Sequence, residues 1–204
     1  MCNNIFVPED VMRKDIYIFR HGETDYNKEK RWQGCGIDTD LNEVGRRQAV
    51  ELAKKLSNLQ LEIIYSSPLK RALQTAEVVA KNWHISIEVI AGLREGSFGK
   101  TEGMLKSEVA IKYPDIYNAW YSPTNDMNIC FPEGETKQQM QDRMLKVLHD
   151  IEDKPYSQIG ISSHGSSIRY LLMYFGLKPK KMLNTALFHL VYDGNAWSLV
   201  EEIS

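Results

Sequence analysis

Five side chains in this 204-residue sequence have the types and spacing to handle a phosphoryl group: Arg20, His21, Arg71, Glu95 and His164. Each follows a run of strand-forming residues. Guanidinium forks match the oxygens of phosphate. A neutral imidazole can attack phosphorus and form a phosphohistidine, and a carboxyl group can protonate the departing oxygen and later activate water. The set therefore predicts phosphoryl transfer.

This set contains a single carboxyl group, so it lacks the cluster of acidic oxygens that magnesium or calcium requires. We therefore expect a site without a metal ion or another cofactor. A phosphate dianion is costly to bury unless paired charges surround it, and Arg20 and Arg71 supply those charges. The expected ligand is a phosphate ester.

His21 is the predicted nucleophile, because it directly follows a buried strand and is flanked by Arg20 and Gly22. It also has compatible partners at the other strand ends. Gly22 and Gly165 each follow one of the two histidines. We expect both glycines to let the backbone pass close to phosphate.

The other members of the set have structural alternatives at this stage. His164 fits a hydrogen bond to Ser162 or Ser166 at the start of a helix. Arg71 lies in the first turn of a helix rich in charge and fits a surface position equally well. Glu95 lies in a glycine-rich loop, where a carboxylate is commonplace.

The elements that must position these side chains form an α/β pattern. Short β-rich runs alternate with helical patterns from residue 15 onward, which indicates a largely parallel sheet covered by helices. In such sheets the carboxyl ends of the strands meet at one edge. Strands are predicted at 16–19, 62–65, 87–90, 158–162, 187–192 and 196–201, the last two joined by a hairpin at Asp193 and Gly194.

Three helix starts are predicted between the strands. Asn42 is the expected N-cap of the first helix. Ser67 and Pro68 are expected to begin the second, with the proline at the first helical position. A third helix is expected from about Ser167. The buried side of the first helix is predicted from its apolar spacing, at Val44, Ala49, Leu52 and Leu56.

Residues 104–135 are predicted to form a small helical cap over one end of the sheet, because Pro114, Pro123 and Pro132 divide two short helical pieces there. No repeat or linker interrupts the chain. We therefore expect one domain over 1–204 with this insertion and an N-terminal extension at 1–14. The cap aromatics at 113, 117, 120 and 121 are expected to form its core. Lys100, Lys106 and Lys112 are candidates for binding a second anionic group.

The composition excludes several classes of partner. A net charge of -2 gives no basic field for nucleic acid or an anionic membrane. The longest apolar stretch, 171–177, is too short to cross a bilayer. Cys2, Cys35 and Cys130 match neither a disulfide framework nor a zinc site, which favours the reducing cytoplasm. A monomer and a homodimer are both compatible with these features.

Five stretches in this order, "FRHGETDYN", "YSSPLKRALQTAE", "LREGSFGKTEG", "PEGET" and "SSHGSSIRYLL", resemble the histidine phosphatase superfamily, whose members are phosphoglycerate mutase-like. The resemblance spans about 15–201. It implies a three-layer sandwich, in which a mostly parallel sheet lies between helices with the cap inserted. It also implies a metal-independent phosphatase that forms a phosphohistidine.

The resemblance also implies roles for single residues. His21 corresponds to the phospho-acceptor, and Glu95 corresponds to the acid/base residue. The phosphate-binding residues of the family fall on Arg20, Asn27, Arg71 and His164.

Two departures from the family pattern affect this interpretation. The stretch between Gly34 and Asp38 is one residue longer than expected, which leaves the roles of 32–36 open. The segment between Glu95 and His164 is shorter than in cofactor-dependent phosphoglycerate mutases, without their long basic insertion. The sequence therefore favours a phosphatase, with a cofactor-dependent mutase as the alternative.

Other classes of protein fit less well. "GSFGKT" resembles a P-loop, but that template requires glycine at the position of Arg94. A serine hydrolase requires a G-x-S-x-G elbow, which the sequence lacks. A module that only binds phosphate is disfavoured because the nucleophile and the acid are both present. The physiological substrate stays open.

Overall fold

The core of the protein is a mixed six-stranded sheet with the order β3-β2-β4-β1-β5-β6. It is seen in a computed structural model that describes residues 13–122, 126–178 and 181–203. The pairs among β1, β4, β2 and β3 are parallel, whereas β5 and β6 are antiparallel. The strands are β1 (Lys14–Arg20), β2 (Ile63–Ser66), β3 (Ser86–Val89), β4 (Gln158–Ser163), β5 (Leu187–Tyr192) and β6 (Trp197–Ile203).

Helices cover both faces of the sheet, which confirms the expected sandwich. α2 and α3 pack on one face and α6 and α7 on the other. α4 and α5 lie in the cap. The helices are α1 (Asp25–Lys28), α2 (Glu43–Leu56), α3 (Lys70–Ala80), α4 (Lys106–Lys112), α5 (Pro114–Tyr121), α6 (Lys137–Glu152) and α7 (Gly165–Tyr174).

β1 shows why the sheet needs helices on both sides. Its side chains alternate in direction, so Ile16 and Ile18 pack with α6 and α7, while Tyr17 and Phe19 pack with α2 and α3. A strand that is buried on both faces consists of consecutive apolar residues, and β1 shows this pattern in "IYIF".

The parallel strands end at the same level. Ser162 of β4 pairs with Phe19 on one side and with Ser66 on the other, and Ser163 pairs with Arg20. The residues that follow these strands therefore emerge side by side. The sequence prediction of a shared edge is confirmed.

The helix starts were predicted with mixed success. Asn42 caps α2 as predicted, accepting from the amide of Gly45 at 2.8 Å. Val44 is exposed, so its predicted place in the core is wrong. Gly45 is buried there instead, because the loop after β1 packs directly on the first turn of α2.

The predicted start of α3 at Ser67 and Pro68 is also wrong, because the helix begins at Lys70. The hydroxyl of Ser67 accepts from the amide of Leu69 instead, and Leu69 keeps an extended backbone. The amide of Lys70 donates to the carboxylate of Asp38 at 2.7 Å. The first helical amide is therefore paired by a side chain that is distant in sequence. Capping rules based on neighbouring residues cannot predict this contact.

The cap residues pack into a small apolar cluster together with residues from outside the cap. Trp120 of α5 packs against Trp32, Phe98, Phe131 and Tyr170, with ring centroids 4.9–6.0 Å apart. This confirms Trp120 as a core residue of the cap, whereas Tyr121 is exposed, so its predicted place in the cap core is wrong. Of the other sequence features, Cys2, Pro123 and residues 1–12 of the proposed extension lie outside the described residues.

The β5–β6 hairpin turns at Asp193, whose carboxylate accepts from the amides of Asn195 and Ala196. This confirms the predicted hairpin. Among the helices in the described ranges, none is long and apolar enough to cross a membrane.

Candidate active site

His21 lies directly after β1 and is 2% exposed. Its Nδ1 is 2.6 Å from the carbonyl oxygen of Gly22. A carbonyl can only accept, so Nδ1 carries the hydrogen and Nε2 carries the lone pair of a neutral ring. Burial lowers the pKa of His21 well below 6.5, and the charges of Arg20 and Arg71 lower it further. The ring is therefore neutral, as a nucleophile must be.

His164 lies directly after β4, fully buried against His21, with the ring centroids 5.1 Å apart. Its Nε2 is 2.7 Å from the hydroxyl of Ser67. The structural alternative, a bond to Ser162 or Ser166, is therefore not what holds the ring. Burial, together with Arg71 and His21, lowers the pKa of His164 well below 6.5.

The two arginines are held by backbone carbonyls. Arg20 donates to the carbonyl of Met182 at 2.6 Å. Arg71 is 1% exposed and donates to the carbonyls of Gly34 and Ile37 at 2.8 and 2.9 Å. The interpretation of Arg71 as a surface residue is therefore wrong. The stretch 32–36, whose role was open, holds its guanidinium.

Three polar atoms at the centre of this group have no hydrogen-bond partner within the described parts of the chain. They are Nε of Arg20, Nε of Arg71 and Nδ1 of His164, and all three are buried. Buried polar atoms are nearly always paired in folded proteins. If the hydroxyl of Ser67 donates to Nε2 of His164, Nδ1 carries a hydrogen, and the three atoms form a cradle of donors for an anion.

Glu95 lies between the loop after β3 and the start of α7, and it is 8% exposed. Its carboxylate accepts from the amide of Gly96 at 3.0 Å and from the amides of Ser166 and Ser167 at 3.1 Å. The carboxylate therefore caps α7, which lets the helix begin at Gly165 rather than near Ser167. These bonds fix its position at the edge of the cavity.

Asn27 reaches the site from α1, where it forms a capping box with Thr24. Its Oδ1 accepts from the side chain of Asn184 at 3.1 Å, and the same Asn184 amide donates to the carbonyl of His21 at 3.1 Å. Sequence reasoning missed Asn184. The sequence could have indicated Asn184 as a site residue, because β5 runs antiparallel to β1 and the residues before β5 must meet the residues after β1.

The structure shows which atoms a side chain would meet at the two glycines that follow the histidines. A Cβ on Gly22 would overlap the carbonyl oxygen of Gly45 in α2. A Cβ on Gly165 would lie 3.3 Å from Nε of Arg20. Close packing of the nucleophile loop on α2 therefore requires glycine at position 22.

These side chains lie at a cavity of about 730 Å³. Arg20, His21, Asn27, Arg71 and Glu95 line it, and His164 packs against His21 with the ring centroids 5.1 Å apart. The structure thus brings together every site residue proposed from the sequence. Further cavity residues include cationic and aromatic side chains: Lys28, Lys30, Arg31, Lys106, Arg169, Lys181, Trp32, Phe98, Trp120 and Tyr121.

The other two lysines singled out in the sequence lie elsewhere. Lys100 pairs with Glu133 at 2.6 Å, and Lys112 lies over the ring of Tyr113 at 5.4 Å. Across the described ranges, no group of three or more His, Cys, Asp or Glu side chains is placed to hold a metal ion.

Comparison with known proteins identifies the family. Residues 16–202 match the histidine phosphatase superfamily (branch 1). The phosphoglycerate mutase-like protein 4 of Arabidopsis thaliana is 36% identical over 95% of this chain and 86% of its own. The metal-independent phosphoserine phosphatase of the same plant is 35% identical over 93% of this chain and 83% of its own.

A solved structure agrees with this identification. Bacillus stearothermophilus YhfR superimposes with a TM-score of 0.85 at 30% identity, over 94% of this chain and 98% of that one. The expected fold and the expected class of activity are both confirmed. The chain belongs to the histidine phosphatase superfamily (branch 1), and it is a phosphomonoester hydrolase of that type.

Proposed function

We propose that this phosphatase hydrolyses small phosphate monoesters without a metal ion, through a phosphohistidine on His21. The observation that carries the proposal is the geometry at that ring. The lone pair of Nε2 belongs to a buried neutral imidazole, and unpaired donors of Arg20 and Arg71 lie beside it. A nucleophile next to a cradle of anion-binding donors suits phosphoryl transfer.

In the first step, Nε2 of His21 attacks phosphorus while the ester P–O bond breaks. Arg20, Arg71, Asn27 and His164 hold the phosphoryl oxygens, whose negative charge the guanidinium groups offset. The departing oxygen takes a proton from Glu95. The alcohol then leaves, and the phosphoryl group stays bonded to the ring nitrogen.

In the second step, water attacks phosphorus on the side that the alcohol has left. Glu95, now ionised, accepts the proton of that water, and the N–P bond breaks. Inorganic phosphate departs and His21 returns to its neutral form. Both steps use the same cradle, so one set of fixed donors serves both transition states.

The alternative, a cofactor-dependent phosphoglycerate mutase, differs only in the acceptor. The phosphohistidine would pass its phosphoryl group back to a bound sugar acid rather than to water. The relative named as a phosphoserine phosphatase favours water as the acceptor.

An assay separates the two activities. We expect rapid hydrolysis of an aryl phosphate in the presence of a chelator, with no detectable interconversion of 2- and 3-phosphoglycerate when bisphosphoglycerate is added. Because the proposed groups are all side chains, the chelator should not reduce the rate. Fast interconversion with slow hydrolysis would establish the mutase instead.

The proposal also covers the domain organisation, the location and the partners of the enzyme. We take 1–204 as one histidine phosphatase domain, with the cap at about 104–135 inserted into it. The free thiols of Cys35 and Cys130 support the cytoplasm as its location. The proposed partner is a small phosphate ester, and the enzyme acts as a monomer or a homodimer.

A further inference from the structure

Asn184 lies on the short segment 182–185 before β5 and contacts two groups of the active site at once. Its side-chain nitrogen, Nδ2, is 3.1 Å from the backbone carbonyl oxygen of His21 and 3.1 Å from Oδ1 of Asn27. Asn184 and Asn27 both line the cavity. The two contacts therefore join the backbone of the nucleophile to the side chain of a proposed phosphate ligand.

The hydrogen-bond partners fix which way both carboxamide groups point. The backbone amide of Thr24 lies 3.3 Å from one end of the Asn27 carboxamide, and an amide can only donate, so that end is the oxygen. The carbonyl of His21 can only accept, so the atom of Asn184 that meets it is the nitrogen. This orientation leaves Nδ2, the donor end of Asn27, for an oxygen of the phosphoryl group.

The chemistry of Asn184 suits this double contact. A carboxamide nitrogen carries two hydrogens, and Asn184 has one acceptor for each, the carbonyl of His21 and Oδ1 of Asn27. Aspartate has nearly the same shape, but its ionised carboxylate can only accept. The contacts therefore distinguish asparagine from aspartate at position 184.

The backbone beside Asn184 is held in an unfavourable conformation. Thr185 has a φ of 55°, a left-handed conformation that β-branched residues rarely adopt. Its amide donates to the same carbonyl of His21 at 3.4 Å, and the carbonyl of Met182 accepts from Arg20 at 2.6 Å. Such strain persists only where the surroundings enforce it, and it clusters at functional sites. Contacts with the end of β1 and the nucleophile thus hold the whole segment 182–185.

We propose that Asn184 is a positioning residue for phosphoryl transfer, which keeps the donor end of Asn27 turned toward the phosphoryl oxygens while it holds the backbone of His21. This inference rests on the proposed function, because it assumes that the phosphoryl group lies at His21. Without Asn184, the carboxamide of Asn27 loses one of the two donors that select its orientation. An inverted carboxamide presents its oxygen to the phosphoryl oxygens, which repel it.

Inhibition by inorganic phosphate measures this orientation. The inhibition constant against aryl phosphate hydrolysis is a property of the folded molecules, so partial unfolding of a sample does not alter it. We expect Asn184→Ala to weaken inhibition by about tenfold, within the range of one hydrogen bond to a charged group. Asn184→Asp should weaken it by roughly a hundredfold, because a carboxylate that only accepts turns the nitrogen of Asn27 away from the cavity.

The same variants in an Asn27→Ala background separate orientation from charge. No carboxamide is left to turn there, so Asn184→Ala should change the inhibition constant by less than about twofold. Asn184→Asp should keep only the direct effect of its negative charge on phosphate. The difference between the two backgrounds is the coupling between positions 184 and 27, which a merely structural role of Asn184 would not produce.

Asn195→Asp is the control for added charge, because Asn195 is exposed in the β5–β6 hairpin. It should keep the parent inhibition constant. A parent-like constant in Asn184→Asp overturns the inference. An equal shift in Asn195→Asp, or equal effects of the Asn184 variants with and without Asn27, overturns it too.

These outcomes are distinguishable from a failure of the proposed function. If His21 is phosphorylated during turnover and the Asn184 variants show no coupling to Asn27, the inference is wrong and the proposed function stands. If no phosphohistidine forms on the parent protein, the proposed function is wrong whatever the Asn184 variants show.

Discussion

At the scale of single residues, the site depends on how each titratable group is held. The carbonyl of Gly22 fixes the tautomer of His21, and burial beside Arg20 keeps that ring neutral. Glu95 is fixed by amide donors at the start of α7. These contacts give the histidine an available lone pair and hold the carboxyl group of Glu95 at the same cavity.

The proposed role of Glu95 makes a prediction about leaving groups. Glu95→Gln should lower kcat by about a hundredfold or more for alkyl phosphates, because an alkoxide needs a proton to depart. The loss should be smaller for an aryl phosphate, whose leaving group is already stable as an anion. Initial rates for both substrates measure the difference. Equal losses would remove Glu95 from the acid role.

At the scale of elements, the parallel strands align the site and the loops after them complete it. Residue 20 at the end of β1, residue 21 directly after it and residue 164 after β4 emerge together because the strands are in register. The loop after β1 is further constrained by α2 and α3. The amide of Gly22 donates to Thr75, and the amide of Glu23 donates to Gln48.

This packing predicts the effect of a single methyl group. Gly22→Ala should destabilise the fold by about 1–3 kcal/mol and also lower kcat/KM by more than tenfold, because the new Cβ overlaps the carbonyl of Gly45 and displaces His21. Urea unfolding and aryl phosphate hydrolysis measure the two effects.

Gly176→Ala is the control for this prediction. Gly176 has a φ of +85° and no atom within 4 Å of its missing Cβ, so alanine strains the backbone far from the site. We expect lower stability with unchanged kcat/KM. If Gly22→Ala behaves in the same way, the packing account of the nucleophile loop is wrong.

The secondary-structure elements also show which features of the fold and the site can be predicted from the sequence. The apolar run "IYIF" and the strand ends could be predicted, because burial patterns and parallel topology are local and general. The depth of Arg71 and the bond from Ser67 to His164 could not, because both depend on long-range contacts. The prediction of the start of α3 was wrong for the same reason, since Asp38 caps the helix from another loop.

At the scale of the whole molecule, a chain with a net charge of -2 concentrates positively charged side chains around the active-site cavity. The fold keeps two histidines neutral inside it. The unfolded chain has ordinary histidines with a pKa of about 6.5. Because the folded pKa values are lower, acidification below 6.5 adds protons to the unfolded state first and favours unfolding.

The free energy of unfolding should therefore decrease as the pH is lowered through a defined range. Above pH 7 both histidines are neutral in either state and contribute no pH dependence. Below about pH 6.5, each should lower the free energy of unfolding by up to about 1.4 kcal/mol per pH unit. Urea titrations at pH 7.5 and 5.5 measure this slope.

The double variant His21→Gln with His164→Gln is the comparison. It should lose less stability between the two pH values, since glutamine does not titrate. An identical loss in parent and variant would show that the buried histidines are not neutral in the folded state.

The central claim is that His21 carries the phosphoryl group, and rapid acid-free quenching during turnover of a labelled phosphate ester tests it most directly. The account predicts a base-stable, acid-labile label on the parent protein, mapped to His21 by mass spectrometry. It also predicts no label on His21→Ala and a loss of turnover of about a thousandfold or more. A His21→Ala variant that keeps its activity, or a label on another residue, would contradict it.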